Sequence, residues 1–153
     1  MKRKIDNSLV VTFPAKSVNE STARGIVAAF AAVYDPTLEA LCDIRTAVSE
    51  AVTNCIVHAY RNETDEAKKT VTMKLAADDA GYLTVIIKDK GSGIENIERA
   101  MQPMYTGTEG EERSGMGFSI MQCFCDVVKV KCGKHGGTTV TLRKYIGHDG
   151  GKW

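Results

Sequence analysis

Strand-like and helix-like stretches follow one another along the chain in the order βααββααββ. That order predicts an α+β fold: a two-layer sandwich with helices on one face of a mixed, largely antiparallel sheet. Two pairs of alternating stretches joined by short polar or glycine-rich turns read as hairpins and support it. Glycine usage supports a second expectation. Of 14 glycines only Gly25 precedes residue 80, so a helical scaffold should lead into a site lined by backbone.

The first strand is Leu9-Val10-Val11-Thr12-Phe13, β-rich and stopped by Pro14, which suits a sheet edge. Ser17-Val18-Asn19-Glu20 has the spacing of a capping box and starts a helix to about Val33. Asp35-Pro36 offers a cap and a first-turn proline for a second helix, which runs to about Tyr60. After the polar loop Arg61–Glu66, Val71–Ala76 and Tyr82–Lys88 alternate around Asp78-Asp79-Ala80-Gly81 as a hairpin. A short helix is expected from Ile94 to about Gln102, then a mobile loop over Pro103–Ser114. Gly115-Met116-Gly117 opens a helix from Phe118 to about Asp126. Val127–Cys132 and Thr138–Tyr145 close the fold as a hairpin around a glycine-rich turn.

The 153 residues suit one domain, 1–153, with a core at about 9–145 and a flexible tail from Gly147. At 43% hydrophobic and 25% charged the composition is globular, and a formal charge of +1 leaves no basic footprint for nucleic acid. No apolar run approaches the ~18 residues of a membrane span, and no apolar stretch follows the basic start to make a secretory signal. The five cysteines contain no Cys-x-x-Cys, and Cys123-Phe124-Cys125 has the wrong spacing for a zinc knuckle. They read as reduced thiols, mostly in the core, of a cytoplasmic protein.

The second helix carries the first chemical signal. At about 100° per residue, Leu41, Val48, Val52, Cys55 and Ala59 gather opposite Glu50, while Asn54 sits beside it with Asp43 and Ala47 near. A carboxylate that can act as a base and an amide oxygen that suits Mg²⁺ therefore face away from the main apolar stripe. On its own this is also what a solvated helix face looks like. Two Gly-x-Gly segments offer a partner surface: Asp89-Lys90-Gly91-Ser92-Gly93 after a strand, and Gly115-Met116-Gly117 before a helix. Unpaired N–H groups at a helix start bind phosphate. Neither segment is a Walker A loop or a dinucleotide fingerprint.

In combination, Glu50-Ala-Val-Thr-Asn54, Asp89-x-Gly-x-Gly93, Gly115-x-Gly117 and Gly137-Thr138-Thr139 resemble the GHKL ATPase superfamily of gyrase, Hsp90, histidine kinases and MutL. Asn19-Glu-Ser-Thr-Ala-Arg24, Val48-Ser-Glu-Ala-Val-Thr-Asn54, Gln102-Pro103 and Glu112-Arg-Ser-Gly-Met-Gly-Phe118 look more closely like the sporulation anti-sigma-F family of serine kinases. The likeness runs from about Leu9 to Lys144.

The resemblance implies an ATP-binding fold that sequesters a sigma factor and phosphorylates a serine of its anti-anti-sigma antagonist. Glu50 would be the catalytic base and Asn54 the Mg²⁺ ligand. Asp89 would accept the adenine amine, with Gly91, Gly93 and Thr138 about the base. The loop residues Thr106, Arg113, Ser114, Gly115, Met116 and Gly117 would hold the phosphates of ATP or ADP. Pro103–Ser114 would be a lid, Arg24 would lie on the surface shared by the two protein partners, and the chain would form a homodimer. Direct nucleic-acid or membrane binding is not implied. The chain departs from the family pattern in the lid, with Thr106-Gly107-Thr108 where relatives often have Thr-Thr-Lys and with acidic Glu109, Glu111 and Glu112. Two alternatives remain at this point: a stress-response anti-sigma kinase, and a nucleotide-binding interaction module without kinase activity.

Overall fold

The computed structural model describes residues 3–102 and 117–147. Five strands form one sheet: β1 (Ile5–Pro14), β2 (Thr70–Asp78), β3 (Tyr82–Asp89), β4 (Val127–Cys132) and β5 (Thr138–Tyr145). Their order is β1-β2-β3-β5-β4, and every pairing is antiparallel. Among the described residues no two strands pair in parallel, and the one parallel bridge, Lys134 to Gly136, lies within the β4–β5 turn. The two hairpins, β2–β3 and β4–β5, meet through their second strands, which run in opposite directions. β1 is an edge strand, as its proline suggests, but it begins at Ile5 rather than Leu9. Backbone pairing with the far end of β2, through a bulge between Ile5 and Asn7, extends it beyond its apolar stretch.

Helices cover one face: α1 (Val18–Ala32), α2 (Leu38–Asn54), the single turn α3 (Ile97–Ala100) and α4 (Gly117–Phe124). The inward residues of the sheet, among them Met73, Leu75, Leu83, Ile87 and Leu142, are fully buried against Val27 of α1, Ile44, Val48 and Val52 of α2, and Met121 of α4. Each such side chain contributes about 1.5–3 kcal/mol of transfer free energy. α2 is central, touching α1, α4 and the sheet, so Ala47 and Ala51 are as buried as Val48. The expected apolar stripe was too narrow because it allowed α2 one neighbour rather than three.

Two helix starts differ from expectation. Ser17 already has helical backbone angles and its side chain makes no capping bond. The carboxylate of Glu20 instead accepts a hydrogen bond from Ser49 Oγ on α2 at 2.5 Å. α2 is capped by Thr37, whose hydroxyl accepts from the Ala40 amide at 3.1 Å. Asp35 takes a positive φ of 49° at the end of α1, and Pro36 lies in the link before the cap. The β2–β3 turn is pinned by Asp78, which is 3% exposed. One of its oxygens accepts the amides of Ala80 and Tyr82, and the other pairs with Arg143 at 3.3 Å.

The cysteine expectation holds in part. All five are free, but only Cys55 is fully buried; Cys42 and Cys123 are exposed and Cys125 and Cys132 are half-buried. Cys123 lies on the outward side of α4, away from the packing that encloses Phe118 and Met121.

Candidate functional site

The C-terminal half of α2 is flanked by glycine-rich backbone at two points. At the first, Gly117 opens α4 directly against Glu50 and Asn54. A Cβ placed on Gly117 would stand 3.3 Å from Asn54 Nδ2 and 3.4 Å from Glu50 Oε2. Both side chains are half-buried in a seam between helices, not spread on a solvated face. The first-turn N–H groups of a helix have no partner within it, and they carry the positive end of its dipole. A carboxylate, a carboxamide and an anion-attracting helix start therefore share one place.

The second point is built around Asp89, at the end of β3. Its Oδ1 accepts the amides of Gly91 at 2.9 Å and Thr138 at 3.1 Å, and its Oδ2 faces the thiol of Cys55 at 3.5 Å. Burial pushes the carboxyl above its ordinary value, opposed by these three hydrogen bonds. Burial, reinforced by the Asp89 charge, pushes the Cys55 thiol well above its own, so the sulfur stays protonated and donates.

A π-helical turn, Cys55–Ala59, joins the two points. The Cys55 amide is shared between the carbonyls of Ala51 and Val52, a three-centre bond common where an α-helix ends. The wider turn brings the Ala59 carbonyl to the Ser92 amide at 3.0 Å and leaves no room for a side chain on Gly91. Tyr60 follows, 6% exposed. Its hydroxyl donates to the Thr70 carbonyl at 2.6 Å and accepts from the Lys90 amide at 2.7 Å. The loop after β3 is thus held from both sides.

The β4–β5 turn completes this wall. The Gly137 amide donates to the Gly91 carbonyl at 2.7 Å, and a Cβ on Gly137, at φ +79°, would meet the Asp89 carbonyl at 2.9 Å. Thr138 is 8% exposed and reaches Asp89 through its amide, while its hydroxyl lies 3.9 Å from Cys132 Sγ. Cys132 in turn accepts the Ile94 amide at 3.2 Å, just beyond Gly93, whose φ is +80°.

Of the residues singled out in the sequence, Glu50, Asn54 and Gly117 form one cluster, and Asp89, Gly91, Gly93 and Thr138 the other. Thr106, Arg113, Ser114, Gly115 and Met116, with the expected lid, lie outside the described residues. Arg24 is on α1, its side chain 41% exposed, with Nε 3.9 Å from Glu20 Oε1. The sequence reading missed Cys55, Ala59 and Tyr60. Cys55 and Ala59 fell on the apolar stripe, and only the glycine at position 91 hinted that something must approach that loop closely.

The donor set fits Mg²⁺, a hard cation that takes one or two protein oxygens and keeps water and phosphate oxygens for the rest. Among the described residues no three His, Cys, Asp or Glu could hold a metal by themselves, so most ligands would come from a phosphate chain. Among those residues, too, no helix is long and apolar enough to cross a membrane.

Comparison with known proteins follows the same lines. The family model described as histidine kinase-like ATPase domain matches residues 13–144. The anti-sigma F factor of Thermoanaerobacter sp. (strain X514) is 50% identical over 94% of this chain and 96% of its own. That of Clostridium acetobutylicum is 47% identical over 92% of this chain and 94% of its own. Among solved structures, the RsbU and RsbW domains of a Mycobacterium tuberculosis protein superpose with a TM-score of 0.67 at 18% identity, covering 94% of this chain and 33% of that one. The SiaB–SiaC complex of Pseudomonas aeruginosa gives a TM-score of 0.66 at 11% identity, covering 91% and 89%. At such identities the structures speak for the fold alone, and the curated relatives carry the rest. The chain belongs to the anti-sigma F factor family, built on a histidine kinase-like ATPase domain.

Proposed function

We propose that this chain is an ATP-dependent serine kinase and anti-sigma factor, which holds a sporulation sigma factor inactive and phosphorylates the anti-anti-sigma protein that would release it. The observation that supports this reading is the meeting of Glu50 and Asn54 with the start of α4 at Gly117. A module that only bound nucleotide would have no use for a carboxylate there. The Asp89 carboxylate accepts the exocyclic amine of adenine, and the glycines about it let backbone lie close to the base. The N–H groups at the start of α4 receive phosphate oxygens. Asn54 offers its side-chain oxygen to Mg²⁺, which when bound neutralises phosphate charge. Glu50 takes the proton from the incoming serine hydroxyl. The serine oxygen then bonds to the γ-phosphorus as the bond to the β–γ bridging oxygen breaks, leaving ADP and phosphoserine.

Arg24 belongs to the surface offered to both protein partners. Competition for one surface makes a switch, since the antagonist displaces sigma and loses affinity once phosphorylated. On this reading the protein acts in the cytoplasm as a homodimer. The test is incubation with labelled ATP, Mg²⁺ and candidate anti-anti-sigma proteins, followed by phosphoamino-acid analysis. Label should appear on serine and fall by roughly 10²–10⁴-fold in Glu50→Gln, with ATP still bound. Transfer at the wild-type rate in that variant would refute the base assignment. Nucleotide binding with no transfer to any candidate would favour the interaction module.

A further inference from the structure

We propose that Cys55 is a positioning residue that sets base specificity, by fixing Asp89 so that its carboxylate offers a single outward acceptor. This rests on the reading of Asp89 as the residue that meets the adenine amine.

A carboxylate has about four acceptor directions, two on each oxygen. Both on Oδ1 are filled, by the amides of Gly91 and Thr138. On Oδ2 the Cys55 thiol fills one at 3.5 Å, which leaves one. The thiol is 3% exposed, so water has no access to replace it. It comes from the first residue of the π turn, one position after Asn54. The backbone that carries the proposed metal ligand thereby also orients the proposed base acceptor. A single remaining acceptor suits a single N–H from the ligand and gives nothing to a ring edge without a donor. Removing the thiol frees a second direction on Oδ2 and lets the carboxyl group tilt. It also removes one of the hydrogen bonds that oppose the upward pull of burial on the Asp89 carboxyl.

The full chain and its Cys55→Ala and Cys55→Ser variants should be titrated with ADP and with purine riboside 5′-diphosphate, which lacks the exocyclic amine. The wild type should prefer ADP. Cys55→Ala should lose roughly three- to tenfold for ADP and little for the purine analogue, a thiol being a weak donor. Its ADP affinity should also collapse at a higher pH on acidification. Cys55→Ser, which keeps a donor, should recover both the preference and the pH profile. Equal losses for the two nucleotides in Cys55→Ala, or no recovery in Cys55→Ser, would overturn the proposal and leave Cys55 as packing. A wild type that binds both nucleotides alike would instead refute the role of Asp89 itself.

Discussion

The carbonyl of Ala59 occupies the space that a side chain on Gly91 would need. The π turn and the loop after β3 are in backbone contact there, joined by the hydrogen bond from the Ser92 amide to Ala59 at 3.0 Å. Gly91→Ala should therefore push the two segments apart. Overpacking of this kind costs about 1–3 kcal/mol. Urea unfolding should show that loss, and titration with ADP should show weakened binding, since Asp89 takes its hydrogen bond from the Gly91 amide.

Gly117 gives the opposite outcome. A Cβ there would crowd Asn54 and Glu50 at 3.3–3.4 Å, but these are side-chain ends that can turn away. Helix propensity favours alanine over glycine by roughly 0.8–1 kcal/mol in a helix interior, and by only part of that at the first residue of α4. Gly117→Ala should keep its melting temperature or raise it, while the affinity for Mg²⁺–ATP falls. Calorimetry on both quantities checks the split.

Asp89 supplies a pH dependence. Its folded-state carboxyl is raised by burial, so this group adds stability that is fully present below the unfolded value and is lost as pH rises through the folded one. Asp89→Asn removes that loss. The variant should be at least as stable as wild type at pH 7, with its advantage shrinking as pH falls. Denaturant titrations at pH 7 and at an acidic pH measure this, and adenine-nucleotide binding should be lost in the variant at both.

The pair Asp78–Arg143 tests the fold independently of the site. Both side chains are largely buried, at 5% and 15% exposure, and Asp78 also holds two turn amides. Asp78→Ala leaves a partly buried guanidinium with, among the described residues, only the Tyr82 ring beside it, 3.8 Å away, and frees two turn amides; it should cost roughly 2–4 kcal/mol. Arg143→Met also leaves one charge behind, the Asp78 carboxylate, but that group keeps the Ala80 and Tyr82 amides. Its melting temperature should therefore drop less than that of Asp78→Ala, which loses the turn bonds as well.

Arg24 should separate partner binding from nucleotide binding. Its Nε is enclosed and has no hydrogen-bond partner among the described residues, while the side chain as a whole is partly exposed. Arg24→Ala should weaken capture of the sigma factor in a pull-down and leave ADP affinity unchanged. A tight sigma complex in the variant would count against the shared surface.

What could be read from the chain itself was whatever depends on neighbours in sequence. Alternation marked the hairpins, a capping-box spacing marked α1, helical period marked α2, Gly91 and Gly117 marked where the chain lies close to a neighbour, and Gly93 marked a positive φ. The order of the elements was enough for the helix-over-sheet class. Capping failed as a guide at Ser17 because Glu20 found a better donor in Ser49, 29 residues away. The π turn was invisible for a similar reason: its widening is set by what Cys55, Ala59 and Tyr60 meet on the sheet, not by their own propensities. Sequence thus determined which segments form and which residues to propose for the chemistry. The tertiary structure decided how each carboxylate spends its hydrogen bonds, because a charged group leaving water takes whichever donors the packed chain brings within reach.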